Sequence, residues 1–323
     1  MKIIFLGTGA AVPSKTRKLS SIAIKRKNEI LILDAGEGLQ YQLMEADLNI
    51  MKISKILISH LHGDHIFGLP GLILTMKMYH RKKPLNLYGP PGLIQFLIAV
   101  NSISGVMDTE FELNAKEMGE GSVIEEKEYW IESALADHGI YTLAYSITEK
   151  PYPGTFFPEK ARGLGVPEGP LWSKLKSGES IQLNDGRIIN SSDVVGTTRP
   201  GRKITYSVDT RPTKYIVLLS QNSDVLIHEA TFDDALLEKA KQTGHTTAVE
   251  AAKIAKDAEV KQLILTHIST RYKDTAILYE QAEKIFPNTI IAEDLMEITL
   301  GEGNKQNSSF RKVPENSDKK NNI

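Results

Sequence analysis

The chain has 323 residues, 41% of them hydrophobic and 24% charged, the balance of a globular protein that can bury a large core. It has no cysteine, which excludes disulfides, thiolate metal sites, iron–sulfur clusters and cysteine nucleophiles. The net charge is -1, so bulk charge does not mark a nucleic-acid binder, and only 8 histidines are available for metal or proton chemistry.

Residues 2–6 read as a buried first strand stopped by Gly7 and Gly9. The apolar run is too short for a signal-peptide core. No stretch reaches the roughly 18 apolar residues of a membrane helix, so a cytoplasmic protein without a membrane partner is expected. Further strands are expected at 21–24 and 29–33, the latter closed by Asp34, Ala35 and Gly36. A helix follows over 37–47, with Leu39, Leu43 and Met44 on one face. Then come a strand at 55–59, a helix over 69–80, a strand at 83–88 and a helix through Val100. Residues 149–180 break the pattern, with five prolines and five glycines among interleaved aromatics and basic side chains. A segment that long without an element is functional or disordered. Strands resume at 202–208, 225–227 and 262–265, with a helix over 247–258. The polar stretch 302–323 reads as a disordered tail.

Chemistry concentrates at residues 59–65, S-H-L-H-G-D-H, directly after an apolar strand. Imidazole and carboxylate are ligands that a borderline cation such as zinc accepts. Alternation places His60 and His62 on the same side of an extended segment, within reach of one metal. The turn at Gly63 then sends Asp64 and His65 elsewhere, toward a second. Further ligands should come from later strand ends, where His138, Asp209 and His267 lie. Asp209, with two oxygens, is the natural bridge. His80 ends a helix, where its charge complements the dipole, and His228 follows an apolar strand, so both read as structural.

These residues occur with F-L-G-T-G-A-A-V-P-S-K-T-R at 5–17, H-G-D-H-I-F-G-L-P-G-L at 62–72 and R-P-G-R-K-I-T-Y-S-V-D-T at 199–210. H-E-A-T-F at 228–232 and G-H-T-T-A at 244–248 complete the set. From Met1 to about Leu300 the chain resembles the short form of the ribonuclease Z family of the metallo-β-lactamase superfamily. The resemblance implies an α/β fold, an αββα sandwich of two mixed sheets with helices outside, over residues 1–301. It also implies an inserted arm at 149–180 that grips the tRNA elbow, with Gly169 and Pro170 in its G-P-L motif. His60, His62 and His138 resemble the ligands of a first zinc, Asp64, His65 and His267 those of a second, and Asp209 the bridge. Two Zn2+ per subunit are implied, with Mn2+ able to support the same chemistry, and no nucleotide cofactor. The partners implied are precursor tRNA and a second copy in a homodimer, the arm of one subunit serving the site of the other.

The expected reaction removes the 3′ trailer from precursor tRNA and leaves a 3′-hydroxyl, through in-line attack of a metal-bridging hydroxide on the phosphodiester. Asp64 would orient or deprotonate the water, His245 would protonate the leaving 5′-oxygen, and Glu229 would hold the other nitrogen of His245. Lys15 and Arg17 would hold phosphate. Two positions depart from the family pattern, Lys18 where asparagine is usual and Val208 where glycine is usual. The rival readings are another dinuclear hydrolase of the fold (a phosphodiesterase, lactonase or arylsulfatase-like enzyme) and a non-catalytic RNA-binding protein. The latter predicts lost ligands, and all seven are present.

Overall fold

The structure is a computed structural model that describes residues 1–152 and 154–301, with the backbone of 311–312. Two compact units emerge, one of Met1–Glu125, Ile131–Ile147 and the chain from Lys203 onward, the other of Glu126–Trp130 and Thr148–Arg202.

The first unit holds two mixed sheets with helices outside, the metallo-β-lactamase fold. One sheet has eight strands in the order Arg311–Lys312, Met296–Thr299, Lys2–Gly7, Ser21–Arg26, Glu29–Leu33, Ile53–Leu57, Leu85–Gly89 and Leu113–Glu117. Its pairings are antiparallel up to Glu29–Leu33 and parallel beyond it. The second runs Thr289–Ile291, Leu263–Thr266, Val225–Glu229, Lys203–Ser207, Tyr141–Glu149, Tyr129–Asp137 and Val123–Glu125, with its first three junctions parallel. The central strands are covered on both faces, which is why Lys2–Gly7 and Val225–Glu229 read as unbroken apolar runs. On the first sheet Ile4, Leu6, Ile30 and Ile56 pack against Leu39, Leu43, Leu69 and Ile73 of helices Leu39–Glu45 and Gly68–Met78. On the second, Leu226, Leu263 and Leu265 meet the alanine face of helix Ala248–Asp257. Small alanines let that helix approach closely, and its start is fixed by a capping box between Thr247 and Glu250. Tyr145 Oη–H donates to the Ile58 carbonyl at 2.7 Å and Leu143 N–H to that of Ser59 at 2.9 Å, which ties the sheets together at the end of strand Ile53–Leu57.

The helix expected over 37–47 is shorter, Leu39–Glu45, because Gly38 at φ 84° starts it abruptly. The helix expected over 69–80 is preceded by a separate turn, Gly63–Ile66, and stops at Met78, where His80 turns left-handed and exposed. The stretch 302–323 lies outside the described residues, save that the backbone of Arg311–Lys312 pairs with Met296 and Glu297. Among the described residues no helix is long and apolar enough to cross a membrane.

The second unit has its own small core of Ala161, Val166, Leu175, Ile181, Ile189 and Val194, with Phe156 and Trp172 against it. Helices Pro158–Gly163 and Pro170–Lys176 each open on proline, and Ile181–Gln182 pairs antiparallel with Ile188–Ile189. It continues to Arg202, past the compositional break at Ser180, where the Arg202 guanidinium meets Glu149 Oε1 at 2.9 Å.

One glycine couples the helical layer to the functional loops. Gly68 opens helix Gly68–Met78 against the Ala35–Gly36 backbone, and a Cβ there would lie 2.0 Å from the Gly36 carbonyl oxygen. Gly68→Ala is expected to destabilise the fold by about 1–3 kcal/mol through overpacking. Urea unfolding should show a lower midpoint at unchanged slope.

Candidate active site

Four strand or loop ends of the first unit deliver histidines and carboxylates to one place. After strand Ile53–Leu57 the chain stays extended through His60 and His62, then tightens into the turn Gly63–Ile66 that carries Asp64 and His65. His138 follows strand Tyr129–Asp137, Asp209 lies just beyond Lys203–Ser207, and His267 lies just beyond Leu263–Thr266. Asp209 and His267 are left-handed, at φ 50° and 56°, which turns them off the strand line. Such conformations cost about 1–3 kcal/mol each and collect at functional sites.

Two groups of ligand-type atoms form, joined by Asp209, and a third overlaps them through Asp209, His245 and His267. His60 Nε2 is 3.1 Å from His62 Nδ1, which is 3.3 Å from His138 Nε2. Asp209 Oδ2 lies 3.6 Å from His60 Nε2 and 3.7 Å from His138 Nε2. Its other oxygen, Oδ1, is 3.3 Å from His65 Nε2 and 3.1 Å from His267 Nε2. Asp64 Oδ2 completes that second group at 3.4 Å from His65 and 3.7 Å from His267. Within each group all ligand atoms fall within 4.8 Å of one another.

The electrostatics favour a cation between them. Burial, reinforced by His65, pushes His60 well below its ordinary pKa, and burial also lowers His138. Both present lone pairs. Burial opposes charge on Asp64 and Asp209, but His267 and His65 hold both carboxyls below their ordinary range. His65 Nε2, His267 Nε2 and Asp209 Oδ1 are buried, face one another and have no hydrogen-bond partner. Polar atoms in that condition fit a metal ion.

Supporting bonds aim these nitrogens. Asp34 is fully buried and accepts from His65 Nδ1–H at 2.7 Å, Ser59 Oγ–H at 2.8 Å, Ser59 N–H at 2.6 Å and Tyr206 Oη–H at 2.6 Å. Ser59 Oγ in turn lies 2.9 Å from His60 Nδ1. His138 Nδ1 meets the Gly244 carbonyl at 2.8 Å. Each contact occupies one ring nitrogen and leaves the other facing the cluster. The Ala11 amide donates to Asp64 Oδ2 at 2.9 Å, giving the glycine-rich loop after the first strand a direct place in the site.

Beside the cluster stands the pair His245 and Glu229. His245 Nδ1 is 3.1 Å from Glu229 Oε1, and its ring is centred 5.0 Å from that of His138 and 5.5 Å from that of His267. Burial resists protonation of His245, but Glu229 outweighs it and the pKa rises to about 9. Glu229 is fully buried; burial works against its charge, and His245 holds it below the ordinary carboxylate value. Its oxygens also accept from Thr210 N–H at 2.6 Å and Thr231 Oγ–H at 2.6 Å.

The two residues expected from sequence to bind phosphate differ in setting. Lys15 is exposed, whereas Arg17 spends one guanidinium nitrogen on Thr8 Oγ at 2.6 Å and the Ala292 carbonyl at 2.7 Å, anchoring its own loop. Lys18 contributes through its backbone, N–H to Asp294 and carbonyl to Gly9, so the change from asparagine leaves that anchoring intact. Val208 is buried and not left-handed, so glycine is not required there. Gly169 and Pro170 open helix Pro170–Lys176 in the second unit. His80 is exposed, and buried His228 bonds through Nδ1 to the Glu229 carbonyl. Sequence reasoning missed Asp34, Ser59, Tyr206 and Thr231; the strand-ending D-A-G and the T of H-E-A-T were the available signals.

Comparison with known proteins places this geometry. A ribonuclease Z of Methanothermobacter thermautotrophicus is 44% identical over 93% of this chain and 97% of its own, and one of Bacillus licheniformis is 41% identical over 92% and 98%. The chain belongs to the ribonuclease Z family. The crystal structure of human tRNase Z, short form, matches with TM-score 0.67 at 29% identity, covering 93% of this chain and all of that one. Models described as "Anti-Pycsar protein Apyc1" and "Beta-lactamase superfamily domain" match residues 1–133 and 175–268. As a ribonuclease Z family member the protein is a hydrolase whose histidine and aspartate clusters suit metal binding.

Asp34 is a buried hub that reaches both groups, His65 directly and His60 through Ser59. Asp34→Asn replaces two accepting oxygens by one and introduces donors facing three existing donors. Affinity for a divalent cation is expected to fall about 10–100-fold, read by titration against a chromophoric chelator.

Proposed function

We propose that this ribonuclease Z cuts the 3′ trailer from precursor tRNA with two zinc ions, held by His60, His62 and His138 on one side and by Asp64, His65 and His267 on the other, with Asp209 between them. What carries the reading is Asp209, whose two oxygens face two different histidine groups 3.1–3.7 Å away, with a protonatable histidine alongside. When bound, the two ions would neutralise a non-bridging phosphoryl oxygen and acidify a water to near neutral pH.

The chain's own groups supply the rest. Asp64, held by the Ala11 amide, orients the attacking water and accepts its proton. His245 is protonated at neutral pH and donates from Nε2 to the 5′-oxygen that leaves with the trailer, so the tRNA keeps a 3′-hydroxyl. Glu229 stabilises the charged imidazole through Nδ1 and fixes its orientation. The sign of the pH effect follows. Raising the pH through the pKa of His245 removes the acid, and bound cations pull that pKa down from about 9. The alkaline limb of kcat therefore lies at or below pH 9, and Glu229→Gln should move it lower. An unmoved limb would dismiss Glu229 as its partner.

RNA is gripped by the second unit. That unit contains a cleft of about 650 Å³ whose lining includes Lys160, Lys176, Ser177, Ser191, Ser192 and Thr198. The ammonium groups lie 4.8 Å from the ring centres of Phe157 and Phe156, a surface suited to phosphate and sugar. The protein acts as a homodimer in the cytoplasm. Exposed Tyr41 and Met44 on one helix and Leu74 and Met78 on its neighbour offer an apolar surface for the second copy.

A precursor tRNA with a 3′ trailer tests the reading directly: metal-loaded wild type should release the trailer, and His65→Ala should reduce the rate at least a hundredfold. No release by wild type ends it. Reversing Lys160 and Lys176 to glutamate should depress tRNA cleavage more than tenfold while sparing hydrolysis of bis(p-nitrophenyl) phosphate. Equal loss of both activities would rule out the second unit as the RNA grip.

A further inference from the structure

We propose that Thr231 is a positioning residue whose hydroxyl ties His267 to Glu229, so that one buried carboxylate orders both the proton donor and a metal ligand. The inference rests on the metal reading above and extends it to a side chain with no other assigned role.

A threonine hydroxyl has a single hydrogen and two lone pairs. Two oxygens compete for that hydrogen, Glu229 Oε2 at 2.6 Å and the His267 carbonyl at 3.1 Å, and the ring nitrogens His267 Nδ1 at 2.9 Å and His245 Nδ1 at 3.4 Å could accept it in the other tautomer. The carboxylate is closer and is the stronger acceptor. With the hydrogen committed to Glu229, Thr231 Oγ can only accept from His267 Nδ1, 2.9 Å away. The hydrogen of His267 is then on Nδ1, and Nε2 is left as a bare lone pair toward Asp209 and Asp64, where a metal ligand must be bare. His245 Nδ1 is nearer Glu229 Oε1, at 3.1 Å, than Thr231, at 3.4 Å, so its proton goes to the carboxylate directly. Glu229 thus serves His245 in one step and His267 in two.

The other half of the site repeats the arrangement. Asp34 accepts from His65 directly and reaches His60 through the hydroxyl of Ser59. Carboxylate to hydroxyl to imidazole therefore occurs twice, once per half, on residues that share no sequence motif. Thr231 is buried and β-branched, which limits its rotamers and holds the hydroxyl in line.

Thr231→Val keeps the shape and removes the hydroxyl, so His267 Nδ1 loses its acceptor and Glu229 Oε2 loses one donor, while the direct His245–Glu229 contact stays; Thr231→Ser keeps the hydroxyl. In zinc titrations against a chelator, Thr231→Val should weaken one of two equivalents about 10–100-fold, with Thr231→Ser near wild type. The KM for precursor tRNA should hold, and excess zinc should restore kcat. Wild-type zinc affinity in Thr231→Val, or an equal loss in Thr231→Ser, would overturn the proposal. Should the valine variant not fold, 1H–15N spectra of metal-free wild type decide instead. They should show the His267 hydrogen on Nδ1, and finding it on Nε2 would overturn the proposal. Wild type that binds two zinc ions yet cuts no precursor tRNA would sink the ribonuclease reading while leaving the Thr231 result to stand on its own.

Discussion

A buried carboxylate shared by two sets of imidazoles is the constraint on which this structure turns. Asp209 is 3% exposed, and its Oδ1 has no hydrogen-bond partner. Burying an ionised carboxylate that way costs several kcal/mol unless positive charge is brought to it. Four histidine nitrogens within 3.1–3.7 Å are arranged to bring it, yet His60 and His138 are themselves held below their ordinary pKa by burial. Protons alone satisfy the cluster poorly, because the same burial that isolates Asp209 discourages protonation of two of its neighbours. Metal ions satisfy carboxylate and lone pairs together.

The supporting structure answers to that centre. A ligand histidine must present a chosen nitrogen, and a free imidazole has two tautomers. In three of the proposed ligands the other nitrogen is held by a carboxylate for His65, a backbone carbonyl for His138 and a serine hydroxyl for His60. The backbone makes a matching investment. Asp34, Asp209 and His267 all follow buried strands and all are left-handed, which turns their side chains from the sheet toward the common centre. Aspartate tolerates that conformation better than most residues. This suits it to strand ends where aim matters more than local comfort.

Much of this was legible in the letters. Strands 29–33 and 202–208 and the helix at 247–258 follow from apolar runs bounded by turn residues, and the structure keeps them within a residue or two. The H-L-H-G-D-H spacing divides His60 and His62 from Asp64 and His65, and the structure makes the same division at Gly63. What stayed hidden was long-range. Asp34 read as a turn residue because its partners Ser59 and His65 lie 25 and 31 positions away, and Tyr206 lies 172 away. Arg17 reads as a phosphate contact because sequence shows its charge but not Thr8 and Ala292, which take one of its guanidinium nitrogens. The inserted unit looked shorter because proline and glycine thin out after Ser180, whereas its closure depends on Arg202 meeting Glu149.

That closure also bears on how a chain of net charge -1 can hold RNA. The second unit spends its acids internally: Glu149 faces Arg202, and Glu159 and Glu168 both face Arg162. Paired in this way, those acids cancel arginines rather than repel phosphate. Lys160 and Lys176 stand instead over aromatic rings at a cleft and are exposed. Affinity for a polyanion depends on the number of phosphates a surface neutralises locally. On the proposed reading, a near-neutral chain would reach RNA by arranging which charges are paired, with a shallower salt dependence than a uniformly basic binder would show.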